Sequence, residues 1–141
     1  MTDTVSLKGQ CLCGSVKIDL KEVKPEIGIC HCLMCRQWAG GPFMSLDAGS
    51  TVELTGEESV GVYNSSEWAE RAFCKSCGTH LYYRLKANNA HHVLVGLFAT
   101  DEELKLHHQI FVDQKPSYYN FSEQTSMLTA AQVMEMFQAD A

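Results

Sequence analysis

No apolar run in this chain approaches the roughly 18 residues that cross a bilayer, and lysine and arginine never gather into a run. The first absence argues against a membrane-spanning helix. The second, with a formal net charge of −6, argues against a nucleic-acid footprint, because phosphate binding needs clustered positive charge. The opening "MTDTVSLKGQ" lacks the apolar stretch of a secretory signal, so a cytoplasmic location is expected. Repeats, low-complexity tracts and long linkers are missing as well, and residues 1–141 are expected to form one domain. An apolar fraction of 45% with 20% charged residues is that of a soluble globular protein.

What the chain has is cysteine, seven in all. In a reducing compartment thiols are poor disulfide candidates and better metal ligands, and an odd number points the same way.

The patterning is rich in strands. Alternation predicts them at 15–20, 42–46, 51–55, 59–63, 70–74, 79–85 and 109–113. The nearly continuous apolar run at 92–98 reads as a strand buried on both faces. A single helical turn is expected at 35–40, ended by Gly40-Gly41-Pro42. A clearer helix follows Thr129, whose spacing to Gln132 fits a capping box, with Val133, Met136 and Phe137 on one face. The expected class is mainly β with a short C-terminal helix.

The cysteines sort by spacing. Cys74 and Cys77 form C-x-x-C followed by Gly78, a knuckle in which glycine tolerates the positive φ that the turn needs. Cys11 and Cys13 form C-x-C, flanked by Gly9 and Gly14. In a regular strand their sulfurs would stand about 7 Å apart, too far for one ion, so a turn has to close that gap. Two and two make a closed Cys₄ zinc site. Cys30, Cys32 and Cys35 remain, a triad that would hold a second zinc and leave one coordination position open, as catalytic sites do.

Three alternatives compete with that division. His31 would close the second site as Cys₃His, although its place between two ligating residues strains the geometry. A remote histidine (His80, His91, His92, His107 or His108) would close it instead, or the ligands would be divided differently. Seven thiolates balanced by two divalent ions leave the chain three charges more negative than its formal −6, so basic side chains near an open site matter for an anionic substrate. Arg36 adjoins the triad; Arg71, Lys75 and Arg84 flank the knuckle.

With these motifs in place, the chain resembles the family of glutathione-dependent formaldehyde-activating enzymes and centromere protein V. "GQCLCGSV" (9–16), "CHCLMCRQWAGGPF" (30–43) and "FCKSCGTHL" (73–81) match its cysteine blocks, and "IFVDQKPSYY" (110–119) its C-terminal segment. The resemblance implies an Mss4-like (β-tent) zinc-binding fold. It implies a structural zinc on Cys11, Cys13, Cys74 and Cys77 and a catalytic zinc on Cys30, Cys32 and Cys35. The implied activity is that of a carbon–sulfur lyase joining glutathione and formaldehyde as S-hydroxymethylglutathione. A small-molecule thiol and an aldehyde are then the partners, His31 a proton donor, Arg36 a contact for an anionic thiol, and Trp38 and Phe43 pocket walls or core. Two positions depart from the family's C-terminal pattern: Gln109 where histidine is frequent, and Tyr118 where tryptophan is common.

A different class of function, a non-enzymatic zinc module that binds a protein partner, is also compatible with these motifs. Methionine sulfoxide reduction is not, because it needs a late nucleophilic cysteine and none follows Cys77.

Overall fold

The computed structural model describes residues 3–139. In chain order its elements begin with β1 (Val5–Gln10), β2 (Lys17–Val23), β3 (Glu26–Cys30), α1 (Leu33–Ala39) and β4 (Phe43–Gly49). Next come β5 (Val52–Thr55), β6 (Val60–Tyr63), β7 (Ala69–Cys74), β8 (His80–Leu85) and β9 (Ala90–Leu94). The chain closes with β10 (Lys105–Ile110), β11 (Ser126–Leu128) and α2 (Ala130–Ala139). The fold is mainly β with a short C-terminal helix, as the patterning indicates.

Two compact units divide these elements, each assembled from separated stretches of chain. The first takes residues up to Pro25 together with Ser45–Leu104. Here β1, β2 and β5 form an antiparallel sheet in the order β1-β2-β5. Strands β6 to β9 run as an antiparallel meander, and Ser45–Gly49 of β4 pairs with β9. Leu7, Val16, Ile18, Leu46, Leu81 and Val93 are buried, each contributing roughly 1.5–3 kcal/mol by leaving water.

The second unit takes Glu26–Met44 and Lys105–Ala141. In it β10 pairs in parallel with β3 on one side and with β11 on the other. Ile27, Ile29, Phe43 and Val133 are buried. The capping box forms as expected: Gln132 N donates to Thr129 Oγ1 (3.2 Å), and Thr129 N donates to Gln132 Oε1 (2.8 Å). Of the helical face that the pattern marks, however, only Val133 is buried; Met136 and Phe137 are about half exposed.

Three further differences have local causes. The run at 92–98 is not a strand buried on both faces. β9 ends at Leu94, its buried residues alternate, and Val95–Leu97 makes a 3₁₀ turn that returns Phe98 to bridge Gly9. Gly9 therefore lies in β1 and serves close approach instead of a turn, since a Cβ there would come within 2.7 Å of the Leu97 oxygen and the Phe98 ring. Gly28 plays the same part in β3, where a Cβ would meet the His108 ring at 2.5 Å. The strand expected at 109–113 runs instead from Lys105 to Ile110, and Phe111 ends it by taking a left-handed conformation (φ 55°).

Gly56 is the most constrained glycine. Its φ is +86°, and a Cβ would sit 1.9 Å from the Ser15 carbonyl oxygen. Gly56→Ala is expected to cost about 2–3 kcal/mol, lowering the thermal midpoint by several degrees in a circular dichroism melt. An unchanged midpoint would show that the Ser15 turn yields freely.

Candidate functional site

Each unit carries one cluster of cysteines, and these two are the groups among the described residues placed to hold a metal ion. In the first unit, Cys11–Gly14 closes a tight turn: Gly14 N donates to the Cys11 carbonyl (3.1 Å) at a φ of +80°. The turn brings Cys11 and Cys13 Sγ to 3.7 Å, far inside the strand spacing. On the other strand pair, Gly78 N donates to the Cys74 carbonyl (2.8 Å), also at φ +80°. Cys13 Sγ then stands 3.8 Å from Cys74 Sγ across 61 residues of chain. All four sulfurs lie within 4.8 Å of one another.

Polar groups surround these sulfurs. Val16 N donates to Cys11 Sγ (3.3 Å), and Ser15 Oγ lies 3.2 Å from Cys13 Sγ. Thr79 links the two halves. Its Oγ1 accepts from Leu12 N (3.0 Å), which leaves its hydroxyl proton for Cys77 Sγ at 3.1 Å. That side-chain bond is the main reason the Cys77 thiol falls to about 5, with the Thr79 backbone adding to it. Four convergent sulfurs, one of them already biased toward thiolate, fit a thiophilic divalent ion.

In the second unit, β3 ends at Cys30 and α1 begins at Leu33, so the CHC segment is the corner between strand and helix. Cys32 caps that helix, its Sγ accepting from Cys35 N (3.3 Å). Gly40 closes it at φ +81°, with its N–H on the Arg36 carbonyl. The sulfurs of Cys30, Cys32 and Cys35 lie within 4.8 Å of one another, and no histidine or carboxylate joins them among the described residues. Hydrogen bonds from the neighbouring Cys32 and Cys35 sulfurs, with burial, hold the Cys30 thiol far above its ordinary range. Three thiolates this close repel one another; a divalent cation removes that penalty, so this cluster also fits a metal.

The histidine inside the motif faces elsewhere. His31 is fully buried, with Nδ1 2.7 Å from the Tyr119 hydroxyl and Nε2 2.8 Å from Gln109 Oε1. Both ring nitrogens are engaged, so in this arrangement His31 contributes no fourth ligand. Burial, the largest influence, lowers its pKa. Arg36 is anchored beside the cluster: Nε donates to the His31 carbonyl (2.9 Å) and Nη2 to the Gln114 carbonyl (3.3 Å). Gln114 Oε1 accepts from Leu33 N (3.3 Å), and the left-handed Phe111 starts the turn that delivers this residue.

The other singled-out residues fall into structural places. Trp38 and Phe43 pack with ring centroids 5.8 Å apart, Phe43 being buried. Arg71 lies 4.9 Å over the Tyr83 ring, Arg84 pairs with Glu70 at 2.7 Å, and Lys75 is exposed. His91 bonds the Gly49 carbonyl (3.0 Å), and His107 stands 3.5 Å from Glu26. Tyr118, the departure noted above, is 76% exposed. Its neighbour Tyr119 is the residue that packs on the cysteine motif, and sequence reading passed over it, as it did Thr79, Phe121 and Thr125. The one available signal was Gln109, which is 2% exposed and bonds His31.

The profile described as Glutathione-dependent formaldehyde-activating enzyme matches residues 6–114 of the chain, a span that takes in all seven cysteines. The chain belongs to that family. A relative from Schizosaccharomyces pombe, described as an uncharacterized lyase, is 36% identical over 129 residues, covering 91% of this chain and 94% of its own. A solved crystal structure of a Rhodobacter sphaeroides protein, a structural genomics target, shares the fold with a TM-score of 0.57 at 21% identity. That likeness covers 87% of this chain and 100% of the other. Among the described residues, no helix is long and apolar enough to cross a membrane.

The Thr79 contact generates a test of the family's first cysteine cluster. Thr79→Val removes the hydrogen bond that lowers Cys77, so protons compete for that sulfur at higher pH. Once the Cys11, Cys13, Cys74 and Cys77 cluster is loaded with zinc, the variant is expected on acidification to release the ion at a higher pH than wild type, followed with a chromogenic chelator. Coincident release curves would show that the Thr79 hydroxyl does not govern the sulfur.

Proposed function

We propose that this chain is a zinc-dependent carbon–sulfur lyase that joins and separates a small thiol and an aldehyde, glutathione and formaldehyde being the type pair. The observation that carries the reading is the three-thiol cluster of Cys30, Cys32 and Cys35, with no fourth protein ligand among the described residues. The family description and the lyase name of the yeast relative support the same class of reaction.

Cys30, Cys32 and Cys35 would hold the zinc, which when bound would supply Lewis-acid chemistry that favours the thiolate form of a small thiol. The chain's own residues do the rest by placement. Cys32 ties the cluster to the first turn of α1, which fixes its sulfur relative to Cys35. Arg36, held by two backbone carbonyls, keeps a permanent positive charge beside the cluster, where it attracts the carboxylates of a thiol such as glutathione. His31 has no free nitrogen, so in this reading it acts by orienting its neighbours and not as the direct proton donor. Cys11, Cys13, Cys74 and Cys77 would hold a structural zinc, which would tie the β7–β8 turn to the turn after β1.

One observation favours a second reading, a zinc-stabilised module that docks a protein partner. Met134, Met136 and Phe137 of α2, with Met127 of β11, leave apolar side chains about half exposed. That reading makes the three-thiol cluster dispensable.

Exchange spectroscopy separates the two. In a mixture of glutathione and formaldehyde, the wild-type protein is expected to speed exchange between free thiol and adduct, seen by NMR. A Cys32→Ser, Cys35→Ser variant should return the rate to background while keeping the wild-type circular dichroism spectrum. Wild-type protein that carries two zinc ions and leaves the exchange rate unchanged would sink the lyase reading for this substrate pair.

A further inference from the structure

We propose that Cys32 and Cys35 are a redox-active dithiol, oxidised by a small-molecule disulfide, in which Cys32 is the sulfur that attacks and Cys35 the sulfur that resolves. The inference goes beyond the lyase reaction and shares with it only the reading of the three sulfurs as a zinc site.

Access decides which of three neighbouring thiols reacts first. The sulfurs of Cys30, Cys32 and Cys35 lie within 4.8 Å of one another. Cys30 and Cys35 are 8% and 6% exposed, whereas Cys32 is only partly covered. A disulfide arriving from solvent therefore meets Cys32 before the other two.

The backbone selects the resolving sulfur. Cys32 is the N-cap of α1 and Cys35 lies in its first turn, at the C-x-x-C spacing of disulfide oxidoreductases. Residues three apart share a helix face. Cys35 N donates to Cys32 Sγ (3.3 Å), which turns that sulfur toward the residue that resolves it. A Cys30–Cys32 bridge meets a different backbone, because it would close a smaller ring around His31. Every polar atom of His31 is held. Its N donates to the Ile110 carbonyl (3.1 Å), its carbonyl accepts from Arg36 Nε (2.9 Å), and its ring is locked between Tyr119 and Gln109. That segment has no slack to relieve a strained bridge.

The exchange balances in two steps. Cys32 sulfur bonds to one sulfur of the incoming disulfide, whose S–S bond breaks and releases one thiolate. Cys35 then attacks the Cys32 sulfur of the mixed disulfide and releases the other. Two electrons have passed from the cysteine pair to the small molecule, which leaves as two thiols. Each takes the proton of the cysteine that attacked, or one from water where that cysteine was already ionised. Only Cys30 then remains as a thiol, one donor where a zinc site needs at least three. Oxidation therefore empties the cluster, and a reducing thiol reverses both steps. The Cys11, Cys13, Cys74 and Cys77 cluster has a fourth sulfur, with Val16 N and Thr79 Oγ1 on two of its sulfurs, and serves as the internal comparison.

Oxidised glutathione added to the zinc-loaded full chain tests this. Released ion is read with a chromogenic chelator, and bridges are mapped by mass spectrometry after the remaining thiols are blocked. Wild type is expected to give up one of its two zinc ions and to show a Cys32–Cys35 bridge, both reversed by dithiothreitol and fresh zinc. Cys35→Ser is expected to stop with one glutathione attached at Cys32, and Cys32→Ser to attach none in the cluster. The wild-type map requires no variant, so it decides even where a variant fails to fold. A bridge that includes Cys30, first attachment at Cys35, or three unmodified thiols in the cluster overturns the proposal. A Cys32–Cys35 bridge in a protein that leaves thiol–aldehyde exchange at background sinks the lyase reading alone. Catalysed exchange with no such bridge sinks this inference alone.

Discussion

Sulfur convergence is the constraint on which the rest of this structure depends. A metal ion binds side chains only when their donor atoms come within a few ångströms of one another, and thiolates repel until the ion is there. The chain meets this with turns. A glycine at φ +80° follows both the C-x-C and the C-x-x-C, letting backbone that would otherwise run straight double back and aim two sulfurs at one point. In the second unit the corner between β3 and α1 does the same for three sulfurs, with Cys32 serving as both cluster member and helix cap.

The two clusters solve different problems. Around Cys11, Cys13, Cys74 and Cys77 the polar atoms of Val16, Ser15 and Thr79 approach the sulfurs, and a link from Leu12 through Thr79 joins the separate strands. Such a shell disperses thiolate charge and suits a closed, permanent ion. Around Cys30, Cys32 and Cys35 the surrounding groups instead hold one another: Arg36 grips backbone carbonyls, and His31 is locked between Gln109 and Tyr119. This shell holds the surroundings of the motif in place, and among the described residues no fourth ligand joins the three sulfurs.

Spacing alone made the cysteine division legible, because C-x-C, C-x-x-C and C-H-C-x-x-C each dictate a local geometry. The capping box at Thr129 and most of the meander were legible for the same reason: their signals are local. What escaped was non-local. β3 has Gly28 at its centre, which weakens a strand pattern and makes room for the His108 ring that β10 brings alongside. β11 is three residues long and exists by pairing with β10. Tyr119 and Thr125 could not be tied to His31 from sequence, since their contacts span 88 residues in one case and pass through Gln109 in the other. The apolar run at 92–98 misled because composition does not reveal that Phe98 must turn back to reach Gly9.

The central claim is that the three-thiol cluster is a genuine second zinc site. Elemental analysis of protein purified under reducing conditions tests it most directly, on wild type and on a Cys32→Ser, Cys35→Ser variant. The account predicts close to two zinc ions per chain in the wild type and one in the variant. One zinc in both, persisting after zinc is added back, would contradict it and leave the Cys₄ cluster as the protein's only metal centre.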